Sequence, residues 1–397
     1  MTGHRTNGHP VAGVAQAPEA PSAGAVSSEN HLTNESVSVS DPPNGTSMDG
    51  SPDVQGRTIR GQLLRPRTAL SFLLALTILA VFVTRSDLDV SEIWANIRNA
   101  DLSILAAAFF IYYFTLFLRA MRWRWMLEIA GIGTAQGTRL PGRLYLTGVY
   151  MVSWLVNCVV PAKLGDAYRA YRVKQDNGVG YSVGFGTIIA ERVFDLAVLV
   201  TLLLTSGLLA FQGSLPGQAG PAMYLGIGMA VLVAAGLAVM YFGRPYIETL
   251  LPNRFKSHYT IFQDTLFQIV RRPVVPAVFA ITVWLCEGAR VYLVSESLGA
   301  SVTMDLALFV ALLSALLTTL PFTPAGLGVV EVAIVTALTF VDIPPGMAGS
   351  VAVLDRMVTY WSAIVVGAIV AAIMLRHKTS IQDQVARPKE PVRSTSS

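Results

Sequence analysis

Charged residues are scarce in this chain: Asp, Glu, Lys and Arg make up 14% of 397 residues, against 53% hydrophobic. Soluble domains carry about 25% charge, so this shortfall excludes an ordinary water-soluble domain. Histidine is missing from the apolar stretches, because His4, His9, His31, His258 and His377 all lie outside them. The two cysteines, Cys158 and Cys286, show neither metal-ligand spacing nor a disulfide framework. No Walker A sequence or HExxH occurs. The motifs for direct ATP use and zinc hydrolysis are therefore lacking, and no metal or cofactor is expected. Residues 1–60 contain no Trp, Phe or Tyr and are rich in Pro, Gly, Ser, Asn and Thr. Such a composition cannot bury enough apolar surface to fold. The first apolar run begins only near Ala69, so no signal peptide is expected.

What the chain does have is long apolar runs, each near the roughly 20 residues that a membrane helix needs. They fall at 68–84, 102–118, 144–160, 182–210, 222–242, 273–298, 303–320, 327–341 and 347–375. The class is an all-α polytopic membrane protein. Residues 1–60 and 379–397 are expected as disordered cytoplasmic tails around one membrane domain, 61–378. The net charge of +4 comes from Lys and Arg beside apolar runs, where the positive-inside rule and anionic headgroups place them. No nucleic-acid partner is expected.

Lys and Arg cluster in 119–143, 243–272 and 376–378, which should be cytoplasmic, whereas 211–221 and 299–302 have none. Lys163, Arg169, Arg172 and Lys174 follow 144–160 directly and would lie outside if that run crossed fully. The conflict disappears if 144–175 is a re-entrant hairpin turning at Pro161, with 303–341 a second one turning at Pro321 to Gly328. About six full spans remain (68–84, 102–118, 182–210, 222–242, 273–298 and 347–375), with both termini cytoplasmic. The hairpins enter from opposite faces, the pattern of an inverted-topology repeat with its site near the midplane; chance recurrence among Pro- and Gly-containing helices is the alternative.

Helix breakers and charge meet in two places, Asn157 to Arg169 and Leu320 to Glu331. Irregular backbone at membrane depth survives only inside protein or beside a water-filled cavity, and charge there usually marks a pathway. The candidate site residues are Asn157, Lys163, Asp166 and Arg169 of the first hairpin and Glu191, Arg192 and Asp195 of the next span. Glu287 and Arg290 follow on 273–298, then Gly326, Gly328 and Glu331 of the second hairpin, with Asp355 and Arg356 on the last span. Glu191 and Asp195, four apart, share a helix face. Gly326 and Gly328 permit close backbone approach, and the half-helix after them would attract an anion at its N-terminus. Buried ion pairs that only lock packing are the alternative reading. The stretch Arg119-Ala-Met-Arg-Trp-Arg-Trp-Met126 reads as an interfacial anchor.

The motifs Asn157…Pro161…Gly165-Asp166…Arg169, Glu191-Arg192…Asp195, Pro321…Pro324…Gly326-Leu327-Gly328…Glu331 and Asp355-Arg356…Tyr360-Trp361 resemble the membrane region of lysylphosphatidylglycerol synthases. That region also occurs alone, as a flippase-like membrane family. The early Arg119…Arg122-Trp123 is similar too. The resemblance covers roughly 65–378 and implies a prokaryotic inner-membrane protein that moves, or helps move, a lipid between leaflets. In the full synthases a separate soluble domain transfers lysyl groups; none is seen here, so that activity is not expected. Ala325 departs from the family, which often has Gly there.

The expected function is therefore translocation of a lipid or lipid-linked headgroup through a polar intramembrane cavity. Arg169, Arg192, Arg290 and Arg356 would contact phosphate, because a planar guanidinium binds its oxygens bidentately. Asp166, Glu191, Asp195, Glu331 and Asp355 would orient them or bind a cationic headgroup. Two alternatives stand: an intramembrane enzyme or enzyme subunit acting on lipid-linked substrates through Glu191 and Asp195, and a scaffold for a glycosyltransferase or other lipid-modifying partner. The topology is testable with single cysteines at Gly178 and Gly217 after replacement of Cys158 and Cys286. An impermeant thiol reagent should label position 217 from outside and leave 178 unlabelled; outside labelling at 178 removes the first hairpin.

Overall fold

The computed structural model describes residues 66–85, 89–133, 140–160, 164–211, 220–319 and 323–386. Among these residues every regular element is a helix. In chain order they are α1 (Pro66–Arg85), α2 (Val90–Arg98), α3 (Leu102–Ile129), α4 (Arg143–Val159), α5 (Leu164–Asn177), α6 (Tyr181–Ala210) and α7 (Gly220–Phe242). They continue as α8 (Arg244–Leu250), α9 (Asn253–Val270), α10 (Val274–Ser297), α11 (Met304–Thr318), α12 (Val329–Thr339), α13 (Pro345–Arg356) and α14 (Ser362–Ala386). A 3₁₀ turn at Pro324–Gly326 precedes α12, and a π-helical turn at Met357–Trp361 joins α13 to α14.

Five helical stretches are long and apolar enough to cross a membrane: Leu102–Ile129, Tyr181–Ala210, Met223–Phe242, Val274–Ser297 and Pro345–Arg376. They coincide with five of the six expected spans. The sixth falls within α1, where Leu73–Phe82 forms a shorter apolar stretch. The perimeter is apolar, with Phe110, Leu232 and Val365 all exposed. In water such a belt would cost about 25 cal/mol per Å², so it is a lipid-facing surface. Helix α7 is the most peripheral, with 6% of its most apolar stretch buried.

The first expected hairpin has the predicted shape. The α4 helix ends at Val159 and α5 starts at Leu164. The Gly165 amide donates to Asn157 Oδ1 at 2.8 Å. At the other end of the pair the Tyr145 hydroxyl donates to Asp176 Oδ2 at 2.6 Å and meets Arg172. The helices are therefore antiparallel and the chain returns to the level at which it started. The turn residues Pro161, Ala162 and Lys163 lie outside the described residues.

In the second, α11 stops at Thr318 and α12 begins at Val329, with the two packed together. Pro321 and Phe322 lie outside the described residues. Helix α12 then doubles back onto α13, so that Glu331 near its start meets Arg356 at the end of α13. The aliphatic core lies between α3, α6, α10, α11 and α13, around Leu116, Leu203, Val291, Leu312 and Val351.

The α4–α5 approach depends on a missing side chain. A Cβ on Gly165 would run into the Ser153 carbonyl oxygen and within 2.7 Å of Asn157 Oδ1. Gly165→Ala is expected to cost about 1–3 kcal/mol by overpacking, read as an earlier thermal transition of the detergent-solubilised protein. Gly236→Ala on α7, with no atom within 4 Å of the added methyl, is the control and should not destabilise, because Ala is the better helix former.

Candidate functional site

Most of the charge in the membrane interior sits on spacings of three or four residues that share a helix face, as in Arg119/Arg122, Asp166/Arg169, Glu191/Asp195 and Glu287/Arg290. Adjacent Asp355 and Arg356 instead meet different partners. Helix α3 contributes Arg119 and Arg122, α5 Asp166 and Arg169, α6 Glu191, Arg192 and Asp195, α10 Glu287 and Arg290, and α13 Asp355 and Arg356. Where these faces meet, the groups join into one chain of ion pairs.

Arg122 lies at its middle. Its Nη1 and Nη2 donate to Asp195 Oδ1 and Oδ2 at 2.5 and 3.0 Å, and Nη2 also stands 3.2 Å from Glu191 Oε1. On the far side of Glu191, Arg169 Nη1 lies 2.8 Å from Oε2, and the Tyr150 hydroxyl donates to Oε1 at 2.8 Å. The Arg169 guanidinium sits 4.5 Å from the Tyr150 ring centroid and 5.2 Å from that of Trp123. Its Nη2 and that of Arg192 both reach Asp166 Oδ1 at 3.1 Å.

In the other direction Arg119 bridges Asp195, at 3.9 Å, to Glu287, at 3.4 Å, between the rings of Trp154 and Trp284. Trp284 Nε1 in turn donates to the Asp195 carbonyl at 3.2 Å. Arg290 links Glu287 Oε2, at 3.1 Å from its Nε, to Asp355. Five guanidiniums (Arg119, Arg122, Arg169, Arg192, Arg290) thus face five carboxylates (Asp166, Glu191, Asp195, Glu287, Asp355).

Beside Asp355 lies a separate pair. Arg356 Nε reaches Glu331 Oε1 at 2.8 Å, and its Nη2 donates to the Ala325 carbonyl at 3.0 Å. Glu331 Oε2 accepts from the Gly328 amide at 2.7 Å. The half-helix α12 therefore already carries an anion at its N-terminus, its own Glu331. Ala325, Gly326 and Gly328 all have positive φ, at 46°, 70° and 85°. Ala325 therefore holds a left-handed conformation that suits glycine better.

The two helix breaks meet here. The Tyr360 ring lies 5.3 Å from the Arg356 guanidinium, and its hydroxyl donates at 3.3 Å to the carbonyl of Cys158, at the end of α4. Tyr360 belongs to the π-helical turn, whose extra residue shifts the side chains after Arg356 out of α-helical register.

Of the residues expected from sequence, Asp166, Arg169, Glu191, Arg192, Asp195, Glu287, Arg290 and Asp355 share the network, and Glu331 and Arg356 the adjoining pair. Asn157 holds the α5 start, Gly326 and Gly328 shape the second break, and Lys163 lies outside the described residues. Arg169, Arg290 and Arg356 are each held by carboxylates, as is Arg192. One expectation changes. The Arg119–Trp125 stretch is not only an interfacial anchor: Arg119 is 3% and Arg122 0% exposed, at the heart of the network. Their three-residue spacing at the end of a long apolar run was the available signal. Tyr150 and Trp284 gave none, since aromatic residues are common in any membrane helix, and Tyr360 stood out only as part of the family motif.

The neutral total leaves donors over. The Nε atoms of Arg119, Arg122, Arg169 and Arg192 are buried without a hydrogen-bond partner among the described residues. Arg192 is also the most accessible member, with 31% of its side chain exposed.

The family described as Lysylphosphatidylglycerol synthase TM region matches residues 69–367. The chain belongs to this family. It is 33% identical over 226 residues to a UPF0104 membrane protein of Methanocaldococcus jannaschii, covering 56% of this chain and 95% of that one. A UPF0104 membrane protein of Pyrococcus horikoshii is 24% identical over 314 residues, covering 70% and 90%. Glycosyltransferase AglD of Haloferax volcanii is 29% identical over 350 residues, which are 78% of this chain and 55% of AglD. The protein is thus a multi-pass membrane protein of a prokaryotic family.

Arg122→Met should strand Asp195 and weaken the hold on Glu191, at a cost of about 3–5 kcal/mol, measurable as lost thermal stability in detergent. Adding Asp195→Leu should recover at least half of that loss; no recovery would mean that Arg122 stabilises through something other than this pair.

Proposed function

We propose that this protein translocates a lipid or lipid-linked headgroup between membrane leaflets, passing the headgroup along the surface formed where the two helix breaks meet the charge network. The observation that carries this reading is the convergence of both breaks on Arg356 and Tyr360 beside the network. Discontinuous helices meeting at depth are how many transporters build a midplane site. A headgroup entering there finds charge already cancelled. It can exchange one partner for another, instead of meeting a bare charge that would bind it and not release it.

Arg192 is the proposed first contact. It is the accessible guanidinium, its Nε is unpaired, and its hold on Asp166 is shared with Arg169. A phosphate oxygen would replace Asp166 on Arg192 while Arg169 keeps Asp166 neutralised. Asp166, Glu191, Asp195, Glu287, Glu331 and Asp355 orient the guanidiniums or receive a cationic headgroup. The same reading places the protein in the plasma membrane with both termini cytoplasmic. A second reading, favoured by the similarity to AglD, is that the chain presents a lipid-linked substrate to a glycosyltransferase partner.

Reconstitution in liposomes separates these readings. The wild-type protein should carry a fluorescent phospholipid between leaflets with no covalent change; presentation alone gives no transfer. Arg192→Ala should cut the rate at least tenfold in a protein that still folds. Arg192→Met with Asp166→Leu should be stable and equally slow. Full transport by that double variant would make Arg192 a packing residue.

A further inference from the structure

We propose a second, peripheral lipid site: the cleft between the end of α7 and α9 binds a phosphodiester headgroup that ends in a hydroxyl or ammonium donor. The cleft has a volume of about 510 Å³, within the usual range for small-molecule sites. Its cations are Arg244, Arg271 and Arg272, and its one lining acid is Asp264. Arg244 is taken up by Glu248 at 2.9 Å and Asp264 at 2.8 Å. Arg271 and Arg272 therefore carry the excess positive charge, and an anionic phosphodiester is the complement.

A buried acceptor identifies the other half of the ligand. Gln263 is 2% exposed and lines the cleft. Its Nε2 donates at 2.6 Å to the Met240 carbonyl in the last turn of α7, one of the carbonyls a helix end leaves unpaired. That bond fixes which way the amide points and leaves Oε1 as an acceptor without a partner among the described residues. Buried acceptors are normally satisfied. A headgroup hydroxyl or ammonium satisfies Gln263, and choline, which has no donor, does not.

The position selects a lipid over a soluble phosphate. The α7 span ends at Phe242, and Arg271 and Arg272 immediately precede the span that begins at Val274. The cleft therefore opens where two spans reach the interface, at headgroup level. One wall is apolar, built by Tyr241 and Phe267 with ring centroids 5.4 Å apart. None of these residues belongs to the central network, so the inference stands or falls apart from the translocation reading.

The test is calorimetric titration of the full-length, detergent-purified chain with short-chain phosphatidylglycerol, short-chain phosphatidylcholine and inorganic phosphate. Phosphatidylglycerol should bind saturably and at least tenfold more tightly than the other two. Arg271→Gln with Arg272→Gln should weaken it at least tenfold, whereas Arg254→Gln with Lys256→Gln, outside the cleft at the start of α9, should leave it within twofold. Gln263→Leu should abolish the preference for the glycerol headgroup. If that variant melts early, Gln263→Met, which keeps the length of the side chain and removes the acceptor, should likewise abolish the preference. Equal binding of inorganic phosphate would make this a free-anion site and overturn the proposal. So would undiminished binding in the Arg271/Arg272 variant, or equal weakening in both double variants, the mark of diffuse surface attraction.

Discussion

Arg122 has no exposed side-chain surface and sits against both Glu191 and Asp195; the need to cancel its charge there fixes how several helices meet. A bare ion in hydrocarbon costs several kcal/mol even after relaxation. Helices α3 and α6 must therefore align so that a guanidinium on one faces two carboxylates on the other. Glu191 then needs Arg169, which brings α5 in, and Asp195 and Glu287 share Arg119, which brings α10 in. Arg290 extends the chain to Asp355 and α13. Each helix supplies charges of one or both signs, and together they are neutral. Shifting α3 against α6 by one turn would break Arg122 away from both partners, so the network specifies register more than it adds net stability.

The helix breaks are governed by the same rule applied to backbone. A helix ending at depth leaves carbonyls and amides without intrahelical partners, and each must find one inside the protein. At the first break the Asn157 side chain takes the Gly165 amide, and Tyr360 reaches the Cys158 carbonyl. At the second, Glu331 takes the Gly328 amide and Arg356 the Ala325 carbonyl. Tyr360 and Arg356 are on one stretch of chain and in ring contact. The two breaks are thus satisfied by neighbouring groups, and that common support brings them together.

Outside this interior the protein meets lipid with apolar side chains and the interface with arginine. Helix α7 has little buried surface and scarcely contributes to the core. Its end is nevertheless fastened by Gln263 to α9, which lies between two spans and carries mixed polar and apolar residues. Peripheral and central regions thus handle polar groups differently. Among the described residues every charge of the central network has an opposite, while at the edge arginines face outward beside an acceptor without a partner among those residues.

Membrane class, the spans, the break positions and most of the buried charges were legible in the sequence, because hydrophobic run length and misplaced Pro, Gly and charge report directly on a solvent that tolerates neither free backbone nor free ions. Antiparallel return of α4 and α5 was legible too, from the basic residues on both sides of one apolar run. Partnership was not. Glu191 and Asp195 advertise a shared face, but nothing local says that the face opposite carries Arg122, 69 residues earlier in the chain and resembling an interfacial anchor. Nor could spacing reveal that Glu331 would occupy the half-helix end expected to hold an external anion, or that Tyr360 would join the two breaks. Burial cost is a property of each residue and can be read one position at a time; charge cancellation and backbone satisfaction are properties of pairs, decided only when the helices are packed.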